Sequence, residues 1–302
     1  MKELEFIKSI ENIIGKEYLG DDCAYLRDFE LTITQDSLIE GVHFKREWYT
    51  PFELGYKSAA VNISDILASG AEPKYLTVAL SLTDDIDKLW VEEFYKGICS
   101  TDPNVKIAGG DITGSKNGIL VSVTALGSTG ERNISSRKNA KEGYVVVTKG
   151  NHGSSAAGLE MLLKGVYDKS SELVQAHIRP QLEYEFSSQI SKLVREDYAM
   201  MDSSDGLADA VFKIAEASGV KITLDYDKIP HLKEVSREQV LFGGEDFKLI
   251  AAVPANIVSK IDDAAIIGKV EKFDGARLEV AGEKYSSYDE LKVYNHFGED
   301  NG

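Results

Sequence analysis

Aspartates recur in this chain beside glycines and hydroxyl residues: GDD at 20–22, TQD at 34–36, NISD at 62–65, GGD at 109–111, DSSD at 202–205 and GGED at 243–246. Glycine lets backbone and ligand approach closely, and carboxylate oxygens are natural ligands of hard cations such as Mg²⁺. A lone Asp after a strand more often caps a helix or forms a turn. Asp205 could cap a helix beginning at Leu207, and Asp65 could simply face solvent. Six such motifs in one chain favour a shared site for several metal ions. A nucleoside triphosphate suits such a site, because metal ions bridge its phosphate oxygens and offset the repulsion of an acidic pocket.

The usual phosphate cradles are missing. GGDITGSK at 109–116 comes nearest to a P-loop, but Ser115 stands where the motif needs lysine and Asp111 falls inside the would-be nest. An aspartate there repels a bare phosphate and can hold a metal that holds the phosphate. No GxGxxG precedes a helix. His43, in EGVHF, could be a base, a substrate contact or a packed histidine. Cys23 abuts Asp22, which makes a poor thiolate, so it reads as a small buried residue. Ser203 and Ser204 have no histidine nearby in sequence, and Ser-His-Asp hydrolysis finds no support.

The elements that must position these residues alternate in type. Apolar spacing predicts a helix over 3–14. Thr50-Pro51-Phe52-Glu53 is a helix start, with a Thr cap, Pro at the first position and Glu at the third; that helix should run to about Ser69 and stop at Gly70. Strands are expected at 29–33, 75–82, 105–108 (ending in GGD), 118–126, 144–148, 198–201, 220–224 and 247–253. Further helices are expected at 86–99, 154–163, 182–194 and 207–218. The polar run RNISSRKNAKEG at 132–143 reads as a linker. The pattern argues for the α/β class, as two mixed sheet-and-helix domains, 1–137 and 138–302.

Composition narrows the partners. The 302 residues, 43% hydrophobic, suffice for two domains. With 34 Lys and Arg against 50 Asp and Glu, formal net charge is −16, so nucleic acid is a poor partner. No apolar run approaches membrane-spanning length, the N-terminus lacks the core of a signal peptide, and the two cysteines form no disulfide framework. A soluble cytoplasmic protein is the expectation.

Taken in order, GDDCAYL, ITQDSLIEGVHF, GYKSAAVNISDILASGAEPKYLTVALSL, IAGGDIT, MDSSDGLADA, GGEDF and YNHF resemble the thiamine-monophosphate kinases, which share a superfamily with aminoimidazole ribonucleotide synthetase. The matches extend from Gly20 to Phe297. EGVHF, SDILASGAEP and GGED are specific in combination, whereas GDD or GGD alone is weak.

That resemblance implies transfer of the ATP γ-phosphoryl to thiamine monophosphate, giving thiamine diphosphate and ADP, with several Mg²⁺ ions and no covalent enzyme intermediate. Carried over by motif, the metal ligands are Asp22, Thr34, Gln35, Asp36, Asp65, Asp111, Asp202 and Asp205. ATP contacts fall on Gly110, Asp111, Arg137 and Ser204, and thiamine phosphate contacts on His43, Glu245 and Tyr294. Gln35 stands where the family commonly has a hydroxyl residue, and could ligate through its amide carbonyl or its backbone. The resemblance also implies a homodimer whose N-terminal domains together complete a β-barrel. Two other kinds of function stay open: another ATP-dependent enzyme of the same fold (ring-closing ligase or selenophosphate synthesis), and a non-enzymatic divalent-cation-binding protein. No cysteine precedes Gly20, as selenophosphate synthesis would favour, and no EF-hand pattern is present.

Overall fold

The computed structural model describes residues 2–293. In chain order the first half holds α1 (Lys2–Ile14), β1 (Ala24–Leu26), β2 (Leu31–Ile39), α2 (Pro51–Ala68), β3 (Glu72–Leu82), α3 (Lys88–Cys99), β4 (Lys106–Gly114) and β5 (Leu120–Ser128). The second half begins with β6 (Val145–Thr148), α4 (Ser154–Leu163), α5 (Glu172–Ile178), α6 (Tyr184–Leu193), β7 (Ala199–Asp202) and α7 (Leu207–Ser218). It continues with β8 (Val220–Leu224), α8 (Arg237–Phe242), β9 (Leu249–Val253), β10 (Ala265–Lys272), β11 (Leu278–Val280) and β12 (Glu283–Tyr285).

Two open mixed sheets result. The first is five-stranded, in the order β1-β2-β5-β3-β4, with only β3 and β4 parallel. The second is seven-stranded, in the order β12-β11-β8-β10-β6-β9-β7, with β11 and β8 its one parallel pair. Neither sheet closes on itself among the described residues. None of the described helices is long and apolar enough to cross a membrane.

The helix that matters most to the site is α2, which starts where the sequence says it should. Thr50 Oγ1 accepts the Glu53 N–H at 3.2 Å, and Glu53 Oε2 accepts the Thr50 N–H at 2.7 Å. This reciprocal cap satisfies two of the otherwise orphaned N–H groups. Against α3 the packing is backbone to backbone: a Cβ on Gly55 would lie 1.9 Å from Phe94 O, and one on Gly97 1.9 Å from Phe52 O. Only glycine permits that approach. The other side of α2 meets β2, β3 and β5, and also β7, β9, α5 and α6 of the second half.

One core therefore runs through both halves, from Leu54, Ile63, Val78 and Phe94 to Phe186, Ile190, Met200 and Leu249. A second core, with Met201, Leu207, Phe212, Ile222 and Ile250, fills the opposite face of the seven-stranded sheet. Strand β9 is buried on both faces, which is why LIAAV reads as an unbroken apolar run.

Several expectations change. TQD and GGD do not end their strands: Asp36 pairs with Val123 in the middle of β2, and Asp111 pairs with Ala79 in the middle of β4. Pairing to a neighbouring strand extends both beyond what local composition suggests. The helix expected from 182 begins at Tyr184, and the one from 86 begins at Lys88 behind the capping Asp87. Strands β1 and β10 to β12 and helices α5 and α8 were not expected from the sequence. The polar linker is tied to both halves: Ser135 Oγ donates to Ala68 O at 2.7 Å, and Asn133 N donates to Ser191 O at 2.8 Å.

Candidate active site

Three carboxylates from distant parts of the chain meet where the halves join. Asp22 comes from the turn before β1, Asp65 from α2 and Asp202 from the end of β7, and each offers an oxygen within 4.8 Å of the others. The supports are short and specific. Thr34 Oγ1 donates to Asp65 Oδ2 at 2.6 Å, and Ser64 Oγ donates to Asp202 Oδ2 at 2.6 Å. Asp202 Oδ1 accepts the Ser204 N–H at 3.2 Å, and the Asp36 N–H is held by Asn62 Oδ1 at 2.8 Å. Because Thr34 and Asp36 alternate with Gln35 along β2, both face α2.

The electrostatics are those of a crowded anionic pocket. Burial, and then Asp22, push the Asp202 carboxyl up to about 7. Asp65 is raised well above the carboxylate range by burial and by Asp202, Asp36 and Asp22, with Thr34 relieving part of it. Desolvation, Asp205 and Asp22 raise Asp36. Carboxylates this close need a cation or a proton between them. Arg137 supplies one cation, its Nη2 donating to Asp22 Oδ1 at 3.0 Å. Burial opposes that charge, but Asp22 outweighs it and holds the guanidinium protonated. The buried Arg137 Nε has no partner of its own among the described residues. Oxygen donors alone, converging and partly unsatisfied, fit a hard divalent cation. Beside them Cys23 is buried and its thiol is pushed well up by burial, Asp65 and Asp22, as expected of an unreactive residue.

The capping alternatives fall away for most of these aspartates. The cap of α7 is Gly206, with no side-chain bond, and Asp205 lies 3.1 Å from Lys213 Nζ at the edge of the cluster. Asp21, not Asp22, ties this turn to the distant 136–137 segment: it accepts the Ser136 hydroxyl and the Arg137 N–H. GGED divides its labour. Asp246 binds the N–H groups of Gly153 and Ser155 at the start of α4, a cap, while Glu245 turns toward Lys57 and His177.

One sequence expectation is corrected and one open choice is narrowed. Asp111 does not join the cluster within one chain. It pairs with Ala79 on β4, the exposed edge three strand positions from β2, roughly 14 Å away at the usual strand spacing. Its register row, Ser37-Ser122-Ala79-Asp111, lies on the sheet face opposite α2. Gly110 shares that distant strand, where a Cβ would meet Val78 O at 2.0 Å. The Gln35 side chain also faces away from the aspartates, donating to Ser122 Oγ at 3.0 Å and accepting from Thr124 Oγ1 at 3.2 Å. Only its backbone carbonyl remains for a metal.

About 10 Å along α2 from the cluster lies a second group, in which Glu245 and His43 were expected and Lys57 and His177 were not. Glu245, at φ 65°, donates its N–H to Ser204 O at 2.7 Å. Its Oε2 accepts from the fully buried Lys57 at 3.2 Å and lies 3.3 Å from His177 Nδ1. Burial would raise the Glu245 carboxyl, but Lys57 outweighs it and holds it below its ordinary value. His177 itself is pushed down to about 3 by burial and Lys57, so it is neutral. Nearby, His43 accepts the Ile39 N–H on Nδ1 at 3.0 Å. Tyr294 lies outside the described residues. A lone cation in KSAAVNISDILA, on a helix buried along most of its length, was the available signal for Lys57; His177, on the unforeseen α5, gave none.

This architecture, two open mixed sheets with an aspartate cluster at their junction, is that of the AIR synthase related proteins. The family's N-terminal domain model matches residues 20–129 and its C-terminal domain model residues 141–281. The thiamine-monophosphate kinase of Aquifex aeolicus is 35% identical over 94% of this chain and 97% of its own. That of Bacillus subtilis is 32% identical over 92% and 93%. Among solved structures, AaThiL complexed with AMPPCP and TMP superposes with a TM-score of 0.87 at 33% identity, covering 98% of each chain. The kinase of Stenotrophomonas maltophilia K279a gives 0.76 at 27%, covering 93% and 96%. The chain belongs to the thiamine-monophosphate kinases of that family.

Proposed function

We propose that this protein transfers the γ-phosphoryl of ATP to the phosphate of thiamine monophosphate, giving thiamine diphosphate and ADP. The observation that carries the site assignment is the meeting of half-buried Asp22 and Asp65 with buried Asp202, whose charge a divalent cation would discharge. Asp22, Asp65 and Asp202 would hold Mg²⁺, with Thr34, Asp36, Asp205 and the Gln35 carbonyl around them. When bound, the metal supplies positive charge to the phosphate oxygens and orients them. The side chains' own work is positioning and charge: Arg137 and the Ser204 hydroxyl at the nucleotide, and His43, Glu245 and Tyr294 at the acceptor. Gly110 and Asp111, three strands away on β4, stay outside this arrangement within one chain. No side-chain nucleophile is required, since an acceptor phosphate oxygen attacks the γ-phosphorus directly as its bond to ADP breaks.

We further infer that the chain works as two domains, 1–137 and 138–302, and as a homodimer. The face of the first sheet bearing Tyr75, Thr77, Ser122 and Thr124 is not covered by this chain's helices, which is what a second copy completing a barrel would require. The free Cys23 and Cys99 suit the reducing cytoplasm. Incubation with Mg·ATP and thiamine monophosphate tests the function. Thiamine diphosphate and ADP in equal amounts are expected, and free phosphate without thiamine diphosphate would point to another acceptor and refute it.

A further inference from the structure

Lys57 lies outside the aspartate cluster, yet it is fully buried on α2. An ammonium is rarely enclosed unless it is paired, and the pair must have an unusually good geometry to be tolerated. Here Nζ donates to Tyr49 Oη at 3.0 Å and to Glu245 Oε2 at 3.2 Å. His177 from α5 approaches the same oxygen at 3.3 Å. Glu245 Oε1 accepts no hydrogen bond from the described residues, and the side chain is 27% exposed. A carboxylate fixed through one oxygen and open at the other can receive a cationic or N–H-bearing group.

Helix α2 also sets a distance. Lys57 and Ser64 are seven residues apart, on one face and separated by about 10 Å along the axis. Ser64 holds Asp202 at one end and Lys57 holds Glu245 at the other. One rigid element thus spaces a cation-receiving carboxylate from the metal cluster.

We infer that Lys57 is a positioning residue for the acceptor: it holds Glu245 so that Oε1 meets the cationic end of the substrate while the phosphate end reaches the aspartates. This rests on thiamine monophosphate, with its charged thiazolium ring, being the acceptor. Lys57 touches no substrate and acts through Glu245 alone. Losing its hydrogen bond to a charged partner weakens acceptor binding and leaves the nucleotide side unaltered.

The test is calorimetric binding of thiamine monophosphate and, separately, of Mg·AMPPCP to wild type, Lys57→Met, Lys57→Arg, Glu245→Gln and the Lys57→Met/Glu245→Gln double variant. For Lys57→Met the thiamine monophosphate Kd rises about tenfold or more, as expected for a charged hydrogen bond, while the AMPPCP Kd stays within about twofold. Its KM for thiamine monophosphate rises alongside, with kcat falling less than about threefold. Lys57→Arg restores most of the binding. The double variant binds no more weakly than Glu245→Gln alone, because both changes remove one interaction. A Lys57→Met Kd within about twofold of wild type, or losses that multiply in the double variant, overturns the assignment. Should Lys57→Met not fold, Lys57→Gln replaces it, retaining a polar end for Tyr49. Wild type that binds thiamine monophosphate without making thiamine diphosphate refutes the function instead, and the Kd comparison still decides Lys57.

Discussion

Replacing Asp202 by Asn should make the metal-free protein more stable and the liganded protein less responsive. The Asp202 carboxyl stands at about 7 in the fold against an ordinary 3.8, raised by burial and Asp22. At about 1.4 kcal/mol per unit, holding it ionised costs the folded state about 4 kcal/mol above pH 7. The sign follows from the raised value: its contribution to stability is fullest below pH 4 and is lost as pH rises through 7. Asparagine cannot ionise, but it weakens the bond from Ser64 or Ser204, at about 1.5 kcal/mol. The net gain at pH 8 is about 2 to 3 kcal/mol, or about 5 °C in a chain of this size. At pH 5 the cost of Asp202 falls by more than half, and the gain vanishes. Adding Mg·ATP at a hundredfold excess over its Kd should stabilise wild type by about 2.7 kcal/mol and the variant by clearly less. Thermal melts at pH 5 and 8, in EDTA and in Mg·ATP, decide it. A variant that melts lower in EDTA at pH 8, and gains as much as wild type from Mg·ATP, would make Asp202 structural and refute this reasoning.

Three further outcomes follow from the geometry. Asp65→Asn should lose at least about a hundredfold in thiamine diphosphate formation while keeping its circular dichroism spectrum, since a neutral amide is a poor Mg²⁺ ligand; near-normal turnover at limiting Mg²⁺ would remove Asp65 from the site. Arg137→Lys keeps the charge but not the planar fork, so KM for ATP should rise about tenfold with KM for thiamine monophosphate unchanged; steady-state kinetics with each substrate varied checks this. Asp111→Asn should leave the EDTA melting temperature within about 1 °C of wild type, because Asp111 lies on the exposed edge strand and outside the crowded cluster. A rise like that of Asp202→Asn would place Asp111 among the converging carboxylates.

What the sequence makes legible is local. The start of α2 is written in Thr50, Pro51 and Glu53, whose cap needs nothing from elsewhere in the chain. The glycine-flanked turn after Asp202 is equally self-contained, and it places that carboxylate at a strand end as its composition suggests. Sheet position is not local. Asp111 and Asp36 look alike in sequence, but β5 and β3 intervene between their strands. The orientation of Gln35 was recoverable once β2 was known to run through to Ile39, because alternation sets it opposite Thr34 and Asp36. Lys57 was hidden for the opposite reason: its partners Tyr49, Glu245 and His177 come from separate segments, and only tertiary packing brings them to one ammonium.

The central claim is that the aspartates at the junction of the two halves hold the metal that phosphoryl transfer requires. Crystals grown with Mn²⁺, AMPPCP and thiamine monophosphate, measured at the manganese absorption edge, test it directly. An anomalous peak within about 2.2 Å of oxygens of Asp22, Asp65 and Asp202 is expected, bridged to phosphate oxygens of the nucleotide or acceptor. Nucleotide and acceptor bound with no peak among these three carboxylates would contradict it.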